Sequence, residues 1–338
     1  MPTSHLSLLS ACDSFPYPPS DLHEQHVSTY YHLRVSSHPE TTLGYLLPSV
    51  ALTLSNLSDW DVDSDAIPRT VTLITGNNAG ERSLAIAKTT AAMRATGHWK
   101  VLDKWRGELY AVFGPGGEEL FRIERSASPL FGVVTYGVHL TAYTHTSTST
   151  TSSSKSEGEE QMKVWVPRRS GTKQTYPGML DNTVAGEITA GEAPFESVVR
   201  EAMEEASLPE DLVRKRSKAV GCVTYFHIRD SRAGGETGLL QPECQYVYDL
   251  DLTPDVGKAE GSQGEEVICK PNDDEVEAFE LLNVEEVLQA LGQEEFKPNC
   301  AVVMIDFLVR HGIITRENEK DYIKICSSLH RRLDFPIG

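Results

Sequence analysis

Residues 185 to 208, AGEITAGEAPFESVVREAMEEASL, set six glutamates and one arginine at spacings that constrain this chain more than anything else in it. Pro194 falls at a first helical turn, where its missing N–H costs nothing. Phe195, Val198, Val199, Ala202 and Ala206 then recur at i, i+3, i+4, i+7 and i+11, one apolar stripe suited to packing on a sheet. Glu201 and Glu205 stand about 40° apart on another face, with Glu204 beside them. A run of like charge can be a solvated helix face. Three carboxylates this close repel one another by roughly a few tenths of a kcal/mol per exposed pair, however, and a solvated helix would scatter them or interleave lysines. Oxygen ligands converging on one point suit Mg²⁺ or Mn²⁺. Arg200, four residues before Glu204, can hold that carboxylate bidentately and set its direction. Gly186 and Gly191 allow close-approach backbone that would bring Glu192 to the edge of the same point.

The formal net charge of −18 argues against nucleic-acid polymers as partners, because such a surface repels phosphate backbones. A small phosphorylated molecule accompanied by a divalent cation remains compatible with it. Cys12, Cys222, Cys244, Cys269, Cys300 and Cys326 are scattered without a C-x-x-C pair and read as free thiols of a reducing compartment. The first residues resemble neither a signal nor a transit peptide, and no apolar run approaches a membrane span. A cytoplasmic protein without a membrane partner is therefore expected. The sequence leaves a homodimer open.

Alternation and turn signals divide the chain. Residues 1–20 are expected to be disordered. From 21 to 128 an α/β unit is expected: a helix after Pro48, a strand at TVTLIT, an amphipathic helix closed by Gly97, and a hairpin around Gly-Pro-Gly-Gly. GNNAGERS lacks the ending and spacing of a phosphate loop and reads as a strand-to-helix turn. From 129 to 325 a second α/β (α+β) domain is expected, with strands at 131–145, QMKVWVPRR, AVGCVTYFHI, ECQYVYDLDL and VEAFELL, and helices at NCAVVMIDFLVRHG and EKDYIKICSSLHRRL. The Ser/Thr tract at 145–160 reads as a disordered hairpin tip between strands that pair with each other, an interdomain linker being the alternative. Residues 326–338 are expected to be a tail.

The stretch from Gly186 to Leu208 resembles the Nudix box, G-x5-E-x7-R-E-U-x-E-E-x-G-U, with Gly186, Glu192, Arg200, Glu201, Glu204, Glu205 and Leu208 in register. Ala202 is a small residue for its position, and Ala185-Gly186-Glu187 stands where many members have Gly-Gly. Ser207 replaces the expected Gly, where a left-handed helix end costs a non-Gly residue about 1 kcal/mol. KVWVPRRSGTKQTYPGMLDNTVAG, QPECQYVYDLDL and FKPNCAVVMIDFLVRHG are similar to the thiamine pyrophosphokinase-related subgroup, whose extra N-terminal domain the first unit also resembles.

This resemblance implies a Nudix α/β/α sandwich with a mixed sheet behind a smaller N-terminal α/β domain. It implies a hydrolase that uses Mg²⁺ or Mn²⁺ on a small diphosphate. Glu201, Glu204 and Glu205 are the implied metal ligands with Glu192 an additional one; Arg200 belongs to the same catalytic set. Gly186 would let the backbone approach the substrate. Glu275 matches the place of a later catalytic acid, an exposed loop acid being the bland reading of it. Arg168, Arg169 and Lys173 run into the catalytic loop and are either a phosphate clamp or solvated side chains. Trp165, Tyr225, Phe226, Tyr246 and Tyr248 are read mainly as core, and His139, His227 and His311 as structural or surface residues. The subgroup is associated with thiamine diphosphate and its oxidised analogues, converted to the monophosphate. Oxidised purine nucleoside diphosphates such as 8-oxo-dGDP are the alternative substrate. A non-catalytic phosphometabolite-binding module is the alternative from another class, and an isomerase on the same fold ranks last.

Overall fold

The computed structural model of the chain describes residues 2–147, 160–173, 175–254, 267–272 and 274–338. Helices α1 (His5–Cys12) and α2 (Asp21–Thr29) precede a sheet of β1 (Tyr31–Val35), β2 (Gly44–Leu46), β3 (Trp60–Asp63) and β4 (Thr70–Leu73) in the order β2-β1-β4-β3. Between β2 and β3 lies α3 (Pro48–Leu54), and α4 (Ala79–Ala95) starts from an Asn78 cap whose side chain accepts from Glu81 N. The GNNAGERS stretch is thus the turn its spacing implied. The antiparallel hairpin β5 (Leu109–Phe113)–β6 (Glu119–Glu124) and the short α5 (Ser128–Phe131) complete a core that includes Leu33, Val71, Ile86, Phe121 and Phe131.

The second half is built on β7 (Thr135–Ser147), β8 (Glu160–Arg169), β9 (Val184–Glu187), β10 (Ser217–Ile228), β11 (Leu240–Asp251) and β12 (Val276–Asn283). The order is β10-β11-β7-β8-β12, with β9 also on β7. β11 runs parallel to β7 and the other pairs are antiparallel, so the sheet is mixed. Box helix α6 (Pro194–Ala206) and α7 (Glu210–Arg216) cover one face, where Val198, Val199 and Ala202 meet Val138, Leu140, Trp165 and Tyr248. Helices α8 (Val284–Gly292), α9 (Pro298–Arg310) and α10 (Tyr322–Ser328) cover the other, against Val164, Val166, Val223 and Val247. Alternation along each strand sends neighbouring residues to opposite layers, which is the sandwich the motif implied.

One register feature creates the site. Gly137–Leu140 of β7 pair with β9, whereas Tyr143 onward pairs with β8, so β8 and β9 diverge along one strand and leave an opening between them. The β7–β8 pairing is the expected hairpin; of the disordered tip expected at 145–160, residues 145–147 and 160 belong to the two strands and 148–159 lie outside the described residues.

Both chain ends depart from expectation. Residues 2–20 are not disordered: α1 buries Leu8, Leu9 and Cys12 against α9, and Phe15 stacks on Phe226 with ring centroids 4.1 Å apart. Residues 326–338 are not a free tail. α10 ends at Ser328, short of the expected helix, and Arg331 Nη1 donates to Asp13 Oδ1 at 2.8 Å with both side chains buried. Phe226 N donates to the same oxygen at 2.8 Å. Removing one partner of a buried pair strands the other charge, so Asp13→Ala is expected to cost about 3–5 kcal/mol in denaturant unfolding. An unchanged transition would mean that the two ends do not belong to the fold.

Candidate active site

The box helix carries its carboxylates as the periodicity requires, yet Arg200 sorts them differently from the expected i, i+4 clamp. Its Nε and Nη2 donate to the two oxygens of Glu192, at 3.0 and 3.2 Å, and Nη1 donates to Glu201 at 2.9 Å and Glu204 at 3.0 Å. Glu192 is thus the bidentate partner, because the loop 188–193 folds back over the helix. Thr189 Oγ1 donates to it as well, and despite burial these bonds hold its pKa below the usual carboxylate value. Glu204 is half-exposed on the rim.

Glu201 and Glu205 point inward. Burial, and for Glu205 also the neighbouring charge of Glu201, raises both pKa values above the ordinary carboxylate range; Arg200 opposes the rise at Glu201 without cancelling it. One oxygen of Glu205 accepts from Ala185 N at 3.1 Å. Gly186 is where the backbone comes closest: a Cβ there would overlap the Glu201 carboxylate. Ser207 closes the helix at φ 53° and ψ 29°, the left-handed exit expected of a Gly.

These residues border a cleft of about 280 Å³ that reaches between the N-terminal unit and the sheet, lined by Gly186, Glu187, Glu201, Glu205, Arg106 and Arg125 among others. A contiguous hollow adds Arg200, Glu204, Asn272 and Asp274 at its mouth. Glu192 stands outside both linings. Glu275 borders both; Lys173 pairs with it, and Arg106 Nη1 lies 4.0 Å away, so its pKa is lowered in spite of burial.

The expected clamp is only partly there. Arg168 lies on neither lining and donates to Gly178 O and Glu280. Arg169 borders the cleft, but its guanidinium is tied to Asp181 at 2.7 Å and to the carbonyls of Thr175 and Tyr176. The additional cations are Lys104, Arg106 and Arg125, which come from the N-terminal unit, Arg229, which follows β10, and Lys297, which precedes α9. No periodicity could have marked them, since they reach the site through packing between distant segments. Of the aromatics, Trp165, Tyr225, Phe226 and Tyr248 are core and Tyr246 packs partly buried against it; Tyr225 also borders the cleft, as do His139 and His227. His311 instead pairs with Asp249.

Among the described residues no set of three or more metal-ligating side chains is already gathered as a metal site. The donors nevertheless suit a hard divalent cation. Glu201 and Glu205 form an oxygen-only pair whose mutual repulsion a cation would relieve, and Gly186 leaves the Glu201 carboxylate the space it occupies. Among the described residues no helix is long and apolar enough to cross a membrane.

Residues 156–300 match the NUDIX domain family and residues 33–135 match a domain of unknown function (DUF4743). An uncharacterized protein of Saccharomyces cerevisiae is 41% identical over 236 residues, which is 69% of this chain and 63% of that protein. Nudix hydrolase 20, chloroplastic, of Arabidopsis thaliana is 32% identical over 254 residues, 75% of this chain and 59% of that protein. The chain thus spans about three-fifths of the length of these relatives. The crystal structure of a MutT protein from Methanosarcina mazei covers 55% of this chain and 96% of its own, at 17% identity and a TM-score of 0.33.

Proposed function

Because the chain carries a Nudix domain, we propose that it is a divalent-metal-dependent diphosphohydrolase releasing phosphate from a small organic diphosphate bound between the box helix and the N-terminal unit. The observation that carries this reading is the inward-facing pair Glu201 and Glu205, part-buried with excess negative charge beside Gly186. These two side chains would hold Mg²⁺ or Mn²⁺, with Glu204 at the rim, and Arg200 keeps Glu201 and Glu204 oriented. When bound, the cation supplies charge stabilisation at the phosphoryl oxygens and a more acidic water. Arg106 and Arg125 line the same hollow, Arg125 also paired with Glu108 at 2.8 Å, and would take up the charge of the diphosphate. Glu275, kept ionised by Lys173, is our candidate for accepting a proton from water.

The flanking segments similar to the thiamine pyrophosphokinase-related subgroup support thiamine diphosphate or its oxidised analogues as substrate, with the monophosphate as product. The test is phosphate release from thiamine diphosphate and from 8-oxo-dGDP with Mg²⁺ or Mn²⁺, and again with a chelator. The expected result is turnover of thiamine diphosphate in preference to 8-oxo-dGDP, abolished by chelation. The opposite preference would transfer the activity to oxidised nucleotides. Tight binding without release would make the protein a sensor.

A further inference from the structure

The metal-facing end of the cleft accounts for the diphosphate, and the proposed activity leaves two cations of the inner end unused. Arg229 follows β10, and the loop after it docks on the N-terminal unit. A Cβ at Gly235 would stand 3.4 Å from Val101 N, and the Glu236 carboxylate accepts from Lys100 N at 2.6 Å and from Val101 N at 2.9 Å. These contacts fix the 3₁₀ turn Lys100–Lys104 and bring its last residue, Lys104, within electrostatic reach of Arg229. Tyr176 borders the cleft with them, and none of the three borders the hollow at its mouth.

Neither cation has an anionic partner. Arg229 is 9% exposed. Its Nη1 donates to Gln241 at 3.2 Å and its Nη2 to the carbonyls of Ala233 and Gly234, while its Nε is buried without a hydrogen bond. Burial holds the guanidinium below its ordinary pKa against the opposing pull of Tyr176, Glu243, Glu236 and Asp230. Lys104 makes no hydrogen bond or ion pair among the described residues, and burial, with the charges of Arg229 and Arg106, lowers its pKa. The acids of this end are engaged elsewhere. Asp230 pairs with Arg232 at 2.7 Å, and Glu236 is taken up by the two backbone N–H groups. Glu243 accepts from Tyr225, Gln241 and Gln245. Burial and the charge of Glu243 raise the Glu187 pKa to about 7 in spite of Arg125, Lys297 and a hydrogen bond from Tyr110, so Glu187 carries only part of a charge at neutral pH. Two neighbouring cations without counter-charge, one of them buried with an N–H left over, are relieved by an anion whose oxygens serve both.

We infer that Arg229 and Lys104 form a second oxyanion site at the inner end of the cleft, which takes a phosphate group apart from the diphosphate at the metal end. Free inorganic phosphate and a phosphate at the far end of a substrate present the same chemistry to it; thiamine diphosphate, with no further phosphate, would leave it to the free ion. The site stands on its cations, so its test needs no turnover. In calorimetry with a chelator present, the wild-type chain binds inorganic phosphate saturably, and Arg229→Gln weakens that binding at least tenfold. Lys104→Gln does the same without removing any contact within the chain, and so carries the test should the first variant not fold. Wild-type protein that binds no phosphate overturns the site, as do folded variants that bind it as well as the wild type. Titration with ADP and with adenosine 3′-phosphate 5′-diphosphate then separates the sources. Binding of the second at least tenfold tighter, with the difference lost in Lys104→Gln, assigns the site to the substrate; equal binding leaves it to the free ion. Phosphate binding that the variants lose, without hydrolysis of any diphosphate, would support the site and overturn the hydrolase. Hydrolysis with phosphate binding unchanged in the variants would do the reverse.

Discussion

Phosphate release by Glu205→Gln is expected to fall roughly 10²-fold or more, with the fold intact. The substitution keeps the size of the side chain, and its amide oxygen can still accept from Ala185 N, so what disappears is the charge that would hold the cation. Stability provides the internal check. The pKa of Glu205 is raised well above its ordinary value by burial and by Glu201, so the ionised form is disfavoured in the folded state. Without metal, the wild-type chain therefore loses stability as pH climbs from the usual carboxylate range through that raised value. The variant lacks the Glu205 share of that loss and keeps only the share of Glu201. At pH 8 in chelator its melting temperature should equal or exceed that of the wild type. Activity lost with stability kept identifies a chemical role; unchanged phosphate release removes Glu205 from the reaction.

Gly186→Ala is expected to be nearly as damaging, on the order of 10²-fold, although it adds a single methyl group. The new Cβ would occupy the space of the Glu201 Cγ, Cδ and Oε1, and the carboxylate would have to swing away from Glu205. Glu201 sits at the end of a flexible side chain, so the fold should tolerate the move while the ligand pair does not. The measurement is turnover beside a melting curve: a large loss in the first with little change in the second. Turnover within twofold of wild type would mean that the approach of β9 to Glu201 has no part in catalysis.

The box helix was legible in the sequence because its stripe and its carboxylates follow the 3.6-residue period, and Val198, Val199, Ala202 and Ala206 are all buried where the stripe predicts. Local rules served less well where a residue could choose between partners. Arg200 has Glu204 one turn away, but the folded-back loop offers it Glu192 with both oxygens. Arg168 and Arg169 alternate at the end of β8, and neither guanidinium is left facing the cleft unpaired. Longer-range features left no local trace at all. Asp13 and Arg331 are 318 residues apart in sequence, and Arg106 and Arg125 meet the box carboxylates only after the N-terminal unit has docked on the sheet. Glu187 did leave a trace, as the departure at Ala185-Gly186-Glu187, but its direction depends on the register of β9 with β7.

The central claim is that Glu201 and Glu205 grip one divalent cation between them. Calorimetric titration of Mn²⁺ into the wild-type chain and into the double variant Glu201→Gln/Glu205→Gln tests it most directly. Loss of both charges should weaken Mn²⁺ binding at least a hundredfold, or about 2.7 kcal/mol. Equal affinity in the two proteins would contradict it.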